Sequence, residues 1–267
     1  MPLPLKFERD PARIEAAVKT LLALRHGELQ LECMPDDITP RTISEAQEVC
    51  DRVTAALNYP ILGWKYYVSY KAQEHPFRSA IYRVMDAGKP IPRDASPLRL
   101  IEPEMMFRVL RDLPPRAQRY GFDEVADAME AVPGFEVIGS RYNYPSYDEM
   151  RKRIAGPRRF DRLADHNACG AIILGKGRKD WRDIDMFKMR VTMSQGERVM
   201  VDTVGGHPII DPFLPIFVLA NDIRETEGLK AGQILVTSSY SGFYQVEAKT
   251  KVVATFDGFE PVETSFE

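Results

Sequence analysis

Two spacings of apolar residues divide the chain. Up to about residue 60 they recur every three or four positions: Ile14, Val18, Leu21 and Leu22 in one stretch, Ala46, Val49, Val53 and Leu57 in another. Asp10 with Pro11, and Thr42 with Glu45, supply an N-cap signal and a capping box ahead of these stretches. Two amphipathic helices follow, the first running as far as Gly27. No cluster of catalytic residue types falls in this region, which reads as a packing or oligomerisation layer over residues 1–60.

From Ile61 the pattern changes to short aromatic and β-branched runs, so strands are expected. Ile61–Ser69 is one, with Lys65 at its centre; Gln73–Pro97 reads as loops around a short element near Ser79–Met85. Leu100–Leu110 predicts a strand entering the interior, Asp123–Glu130 a short helix, and the flanks of Glu136 a second buried strand. Ser146 and Glu149 cap a helix that stops near Gly156-Pro157, and a polar turn from Ala164 leads into a strand ending at Gly175. A hairpin is expected over Met186–Val204, turned at Gln195-Gly196, then a helix over Pro212–Arg224 and strands at Gln233–Thr237 and Lys251–Phe256. The order lacks regular βαβ alternation, which makes the fold class α+β.

The chemistry concentrates on glutamates. Residues two apart on a strand share a face, so Glu102 and Glu104 project side by side. In an apolar setting two carboxylates repel, and each carries a large desolvation cost unless protonated or neutralised. With Glu136 they make three oxygen donors without His or Cys, a set suited to Mg²⁺ or Mn²⁺. The same pair would also suit an exposed edge strand. Lys65, between Trp64 and Tyr66, is either a surface or structural lysine or, if buried against an anion, an acid/base group or carboxylate anchor. His166 beside Asp165 is read as loop-shaping, and His207, after Gly205-Gly206, as packing or capping a turn. Thr237-Ser238-Ser239-Tyr240-Ser241-Gly242 offers hydroxyls and N–H groups to an anion.

Composition narrows the partners. The 36 basic and 39 acidic residues are interspersed, giving neither a nucleic-acid footprint nor a polybasic membrane patch. The longest apolar runs, such as Ala168–Leu174, fall far short of a membrane span. The first residues lack a signal-peptide layout, and three cysteines without CxxC spacing argue against a disulfide scaffold. A cytoplasmic soluble protein is the plain expectation.

Gly63-Trp64-Lys65, Lys71-Ala72-Gln73, Ile101-Glu102-Pro103-Glu104, Phe135 through Arg141, Ala164-Asp165 through Gly170, Gly206-His207-Pro208 and Leu229-Lys230-Ala231-Gly232 through Thr237 occur in an order and spacing that resembles the 2-oxopent-4-enoate hydratase and 4-oxalocrotonate decarboxylase family of the fumarylacetoacetate hydrolase superfamily. The resemblance runs from about residue 60 to the C-terminus. It implies a mixed β-roll catalytic domain over 61–267 with the helical region packed on it, usually as oligomers. It also implies a divalent metal on Glu102, Glu104 and Glu136 and an active-site lysine at Lys65. The activity implied is a metal-dependent lyase, hydratase or decarboxylase, working through the enolate of a 2-oxo or 2-hydroxy-dienoate acid, as in aromatic catabolism. Hydrolysis of an acylpyruvate-like C–C bond, or a non-catalytic subunit in a complex with a pathway enzyme, are the alternatives.

The departures from the family pattern leave the metal site intact and alter the proton-transfer residues, a pattern that suggests a relative with a changed substrate or reaction. Tyr66-Tyr67-Val68-Ser69 replaces a Gly-Leu-Thr type segment, and His75-Pro76-Phe77-Arg78-Ser79 stands where an Asp-Phe-Gly element is usual. Thr237-Ser238 replaces Thr-Gly, and Asp165-His166-Asn167 an Asn-rich turn. His75, Arg78 and Tyr67 are therefore candidates for the missing aspartate's role. With Thr237 and Ser238 they complete the expected substrate-binding set.

Overall fold

The computed structural model describes residues 9–68, 75–154 and 158–267. The chain divides into two compact units, one of residues 1–59, 69–79 and 140–168, the other of residues 60–68, 80–139 and 169–267.

The first unit is helical. Helix α1 (Pro11–Arg25) begins where the Asp10 carboxylate accepts the Ala12 and Arg13 amides at 3.0 and 3.2 Å. Helix α2 (Ile43–Leu57) begins at Thr42, whose hydroxyl accepts the Glu45 amide at 3.1 Å, and ends at Asn58 in the left-handed conformation. Both starts lie where the capping signals predict them. Arg13 and Glu45 form a buried ion pair between the two helices. Helices α4 (Tyr147–Ile154) and α5 (Arg159–Ala164) belong to the same unit. Helix α5 has no counterpart in the sequence expectation, and the expected stop at Gly156-Pro157 lies outside the described residues.

The second unit is built on two sheets. Its strands are β1 (Gly63–Tyr67), the end of β2 (Phe77–Ile81), β3 (Val84–Asp86), β4 (Pro90–Ile91), β5 (Leu100–Val109), β6 (Met129–Ile138), β7 (Cys169–Leu174), β8 (Arg190–Gln195), β9 (Arg198–Val204), β10 (Ile234–Val236), β11 (Tyr244–Gln245), β12 (Val252–Phe256) and β13 (Val262–Phe266). Helices α3 (Phe122–Ala126) and α6 (Leu214–Asp222) complete it. Among the described residues one sheet runs β2-β1-β10-β5-β6-β7-β3, with β11 also on β5, and the other β4-β13-β12-β8-β9. Strands β2 and β3 stand at opposite ends of the first sheet yet are joined by only Tyr82 and Arg83, so the sheet curls into a closed roll.

Alternation gives the roll two apolar surfaces. Trp64, Tyr66, Ile101, Phe107, Phe135, Val137 and Ile173 belong to the large core shared with the second sheet. There Phe107, Trp181 and Phe213 meet edge-on or tilted, with ring centroids 4.9–5.3 Å apart. Met106, Val132, Ile172, Leu174, Ile234 and Val236 form a separate smaller cluster on the opposite face.

The hairpin is present as β8–β9, starting at Arg190 rather than Phe187, with Gly196 at φ +55° in its turn. The helix expected over Asp123–Glu130 ends at Ala126, because Met129 and Glu130 pair with Val109 and Arg108 in the β6–β5 ladder. The element expected near Ser79–Met85 is two strands, β2 and β3. Among the described residues no helix is long and apolar enough to cross a membrane.

Candidate metal centre

Antiparallel pairing of β5 and β6 sets Glu102 directly opposite Glu136, and Glu104 opposite Gly134. Three carboxylate oxygens, one from each glutamate, lie within 4.8 Å of one another, and all three residues are buried. The edge-strand alternative is thereby excluded: β5 is a central strand and Glu104 and Glu136 are fully buried.

Pro103 sits in the middle of this central strand, where a missing N–H would ordinarily break a ladder. The other flank of β5 explains it. Strand β10 pairs only with Phe107 and Arg108, and β11 only with Leu100 and Ile101. Between them the neighbour is the loop after β10, where Glu104 bridges Ser239 and the Ser239 hydroxyl donates to the Pro103 carbonyl at 3.0 Å. The proline therefore costs no strand pairing, and it brings the serine-rich loop against the two glutamates.

Lys65 completes the group. In hydrogen-bonded order β10 and β5 separate β1 from β6, about 14 Å in a flat sheet. The curl of the roll brings Lys65 Nζ to 2.5 Å from Glu136 Oε1. Gly63 lets β1 lie tightly against β10, since a Cβ there would stand 1.9 Å from the Ile234 carbonyl oxygen. Lys65 is thus buried against an anion, and the surface-lysine alternative falls.

The electrostatics are unbalanced. Burial alone would lower the Lys65 pKa, but Glu136, then Glu102 and Glu104, outweigh it and raise it. Burial, reinforced by Glu136 and Glu102, pushes Glu104 well above the ordinary carboxylate range. Both Glu104 carboxylate oxygens and Glu136 Oε2 are buried without a hydrogen-bond partner. Buried acceptors are rarely left unpaired. Among the described residues, three converging carboxylates with three orphaned oxygens beside Lys65 fit a hard divalent ion, which would add positive charge there.

The structure also distributes the remaining expected residues. Tyr67 is two residues from Lys65 and so shares its face, whereas Tyr66 enters the large core. Thr237 is buried at the end of β10, with its hydroxyl 3.4 Å from His207 Nε2. The Ile209 amide donates to His207 Nδ1 at 3.3 Å, which makes Nε2 the protonated nitrogen and the donor to Thr237. His207 thus packs and caps, as expected, with its ring against Tyr240 and burial lowering its pKa to about 4. His75 and Arg78 lie in the helical unit. Arg78 exchanges two backbone hydrogen bonds with the Gln47 side chain, at 2.8 and 3.0 Å, and its guanidinium stands 4.0 Å from Asp51. Asp165 takes Ser140 and Arg141 and His166 takes Thr54, while Arg25 reaches both, in keeping with a loop-shaping role. Lys71-Ala72-Gln73 lies outside the described residues.

One residue escaped sequence reasoning. Cys169, at the start of β7, is close enough to act electrostatically on the Lys65 ammonium and packs against the smaller apolar cluster. Its signal was its place within the Ala164-Asp165 through Gly170 segment, just after the Asp165-His166-Asn167 turn.

No family model matches the chain. It is 26% identical over 181 residues to a 2-keto-4-pentenoate hydratase of Burkholderia vietnamiensis, a match spanning 67% of this chain and 64% of that protein. In fold it is similar to 4-oxalocrotonate decarboxylase from Pseudomonas putida G7 complexed with calcium and acetate: TM-score 0.74, 19% identity, 97% of this chain and 99% of that one. A 2-hydroxyhepta-2,4-diene-1,7-dioate isomerase from Mycobacterium marinum aligns more loosely, with TM-score 0.53 and 15% identity over 78% of this chain and 76% of that one. The chain is thus similar in sequence to a 2-keto-4-pentenoate hydratase and shares the fold of 4-oxalocrotonate decarboxylase.

Proposed function

We propose that this protein is a divalent-metal-dependent lyase, a hydratase or decarboxylase, acting on a 2-oxo or 2-hydroxy-dienoate acid. The observation that carries the reading is the buried trio Glu102, Glu104 and Glu136, with its orphaned oxygens, beside the buried Lys65. The similar hydratase, and the decarboxylase whose structures hold calcium with acetate or magnesium with adipate, support it.

The three glutamates would hold Mg²⁺ or Mn²⁺, since an all-oxygen donor set favours hard ions. Such an ion, when bound, supplies Lewis-acid stabilisation of negative charge on a substrate oxygen. Lys65, kept protonated by its carboxylate neighbours, donates a hydrogen bond or a proton to the substrate's C2 oxygen or carboxylate. Because His207 donates to the Thr237 oxygen, the Thr237 hydroxyl proton is left for a substrate carboxylate, with Ser238 beside it. Tyr67 borders the Lys65 face and shapes the space for the substrate's tail. Roles for His75 and Arg78 in place of the family's aspartate rest on the sequence resemblance, and alanine variants of each test them. Assembly into a homo-oligomer belongs to the same proposal and is read by light scattering.

The test is turnover of 2-hydroxypenta-2,4-dienoate and of 4-oxalocrotonate with Mg²⁺, compared between the wild type and Glu104→Ala. Mg²⁺-dependent turnover that Glu104→Ala abolishes is expected. Metal binding without turnover of any 2-oxo acid would leave the non-catalytic subunit, and turnover of an acylpyruvate alone would leave the hydrolase.

A further inference from the structure

The mouth of the roll remote from the carboxylates contains a cavity of about 420 Å³. That volume lies within the range of small-molecule sites. Leu62, Val84, Leu174 and Ile234 make its apolar wall, and Arg108 and Lys230 line it as cations.

This cavity is separate from the candidate metal centre. Glu104 and Arg108 share a face of β5 four residues apart, about 14 Å along the strand. Met106 stands between them, opposite Val132, and both are fully buried in the small apolar cluster with Val236. At this end the polar pair is Arg108 with Glu130, Nη1 to Oε1 2.6 Å.

The lining is built rather than incidental. The turn Leu229–Gln233 is tied to β5 by Gly232 N–H to the Val109 carbonyl at 2.8 Å and Val109 N–H to the Gln233 carbonyl at 2.9 Å. Gly232 takes φ +89°, and the Ala231 amide donates to Asp112 at 2.8 Å. Lys230 is carried on this turn; it is exposed, and among the described residues no carboxylate pairs with it. Arg108 spends one nitrogen on Glu130 while its side chain stays 34% exposed, leaving other N–H groups to donate. Wall and turn carry two cations, Arg108 and Lys230, and two carboxylates; Glu130 pairs with Arg108 and Asp112 accepts the Ala231 amide, and neither forms an ion pair with Lys230.

We propose that this mouth is a second small-molecule site, taking monocarboxylates with an apolar tail of about six carbons. The tail lies on Leu62, Val84, Leu174 and Ile234, and the carboxylate accepts from Arg108 and Lys230. A neutral analogue leaves the Lys230 charge uncompensated. A second carboxylate on the tail would meet only apolar side chains.

The experiment uses hexanoate and hexanamide in titration calorimetry, with crystals soaked in 6-bromohexanoate to locate the bromine by anomalous scattering. Hexanoate binds the wild type, hexanamide binds less tightly, Lys230→Ala weakens hexanoate about threefold, and Leu62→Trp abolishes its binding by filling the cavity. Both substituted positions are exposed, and melting temperatures close to wild type confirm that the variants fold. The bromine appears between Leu62, Leu174 and Ile234. Absence of hexanoate binding, equal binding of hexanamide, unchanged binding in Leu62→Trp, or bromine only beside Glu102, Glu104 and Glu136 overturns the proposal.

Discussion

Lys65 Nζ lies 2.5 Å from Glu136 Oε1, at the meeting of two strands that the sheet order sets three steps apart. Among the described residues it is the cation hydrogen-bonded into the trio of buried carboxylates, whose charge it only partly compensates. Glu104 is the least compensated of them, since neither of its oxygens has a hydrogen-bond partner.

Glu104→Gln is therefore expected to act in opposite directions with and without metal. In chelator the variant loses a buried like-charge neighbour and melts higher than the wild type. With Mg²⁺ at a hundred times its dissociation constant, the wild type gains about 2.7 kcal/mol, and the variant gains much less. Thermal unfolding in EDTA and in Mg²⁺ measures both arms. An undiminished Mg²⁺ increment in the variant would remove Glu104 from the metal site.

Lys65→Met separates structure from chemistry. Removing one partner of a buried ion pair costs on the order of 3–5 kcal/mol, and here it leaves Glu136 facing Glu102 and Glu104 alone. Mg²⁺ should recover much of that loss, because the ion replaces the missing positive charge. Turnover should not recover: loss of a proton-transfer group lowers kcat by roughly 10²–10⁴. Comparing the melting temperature and kcat of the same Mg²⁺-loaded variant distinguishes the two effects. A variant that regains both would make Lys65 purely structural.

The parts legible in the sequence were those written locally. Asp10-Pro11 and Thr42…Glu45 marked the starts of α1 and α2 because capping uses neighbouring residues. The alternation around Glu102 and Glu104 marked a shared face because strand geometry has period two. Contacts across strands were not legible in that way. No local pattern at Lys65 specifies that the sheet curls until β1 faces β6, and only the family resemblance joined the two. Glu130 read as the end of a helix because Asp123–Met129 favours one, yet pairing with Arg108 in the β5–β6 ladder overrode that preference. A proline is ordinarily foreign to a central strand, and only the gap between β10 and β11 makes Pro103 acceptable there.

Gly139→Ala tests how tightly the end of β6 is held. A Cβ at Gly139 would stand 1.8 Å from the Ala95 carbonyl oxygen and one at Gly170 2.0 Å from it, so the two glycines enclose that carbonyl. The contact is with backbone, which cannot rotate away, and overpacking of this kind costs about 1–3 kcal/mol or more. Gly121→Ala, where nothing stands within 4 Å of the new Cβ, is the control and should cost less than about 1 kcal/mol. Urea unfolding of the three proteins measures the difference. Equal midpoints for Gly139→Ala and wild type would mean that the Ala95 segment moves freely.

The pH dependence of stability follows from groups whose shifts oppose one another. Burial lowers His207 from 6.5 to about 4, so between those values the unfolded chain binds a proton that the folded chain refuses. The stabilisation is complete above pH 6.5 and is lost as pH falls towards 4; at about 1.4 kcal/mol per pH unit it amounts to about 3 kcal/mol. His166, lowered by burial and then by Arg25 and Arg141, acts with the same sign. Asp161 acts oppositely. Burial raises its carboxyl to about 6 against the pull of Arg158, so its contribution is present below pH 3.8 and is lost as pH rises to 6. The wild-type profile between pH 4 and 6.5 combines these opposing limbs with that of Glu104, which burial raises and which therefore acts with the sign of Asp161. Subtracting the profile of His207→Asn, measured by urea unfolding at pH 7, 5.5 and 4.5, isolates one of them. The difference should shrink steadily as pH falls, because the variant has no proton to take up in its unfolded state. A difference independent of pH would mean that His207 is protonated in the fold, and its Nδ1 could then not accept the Ile209 amide.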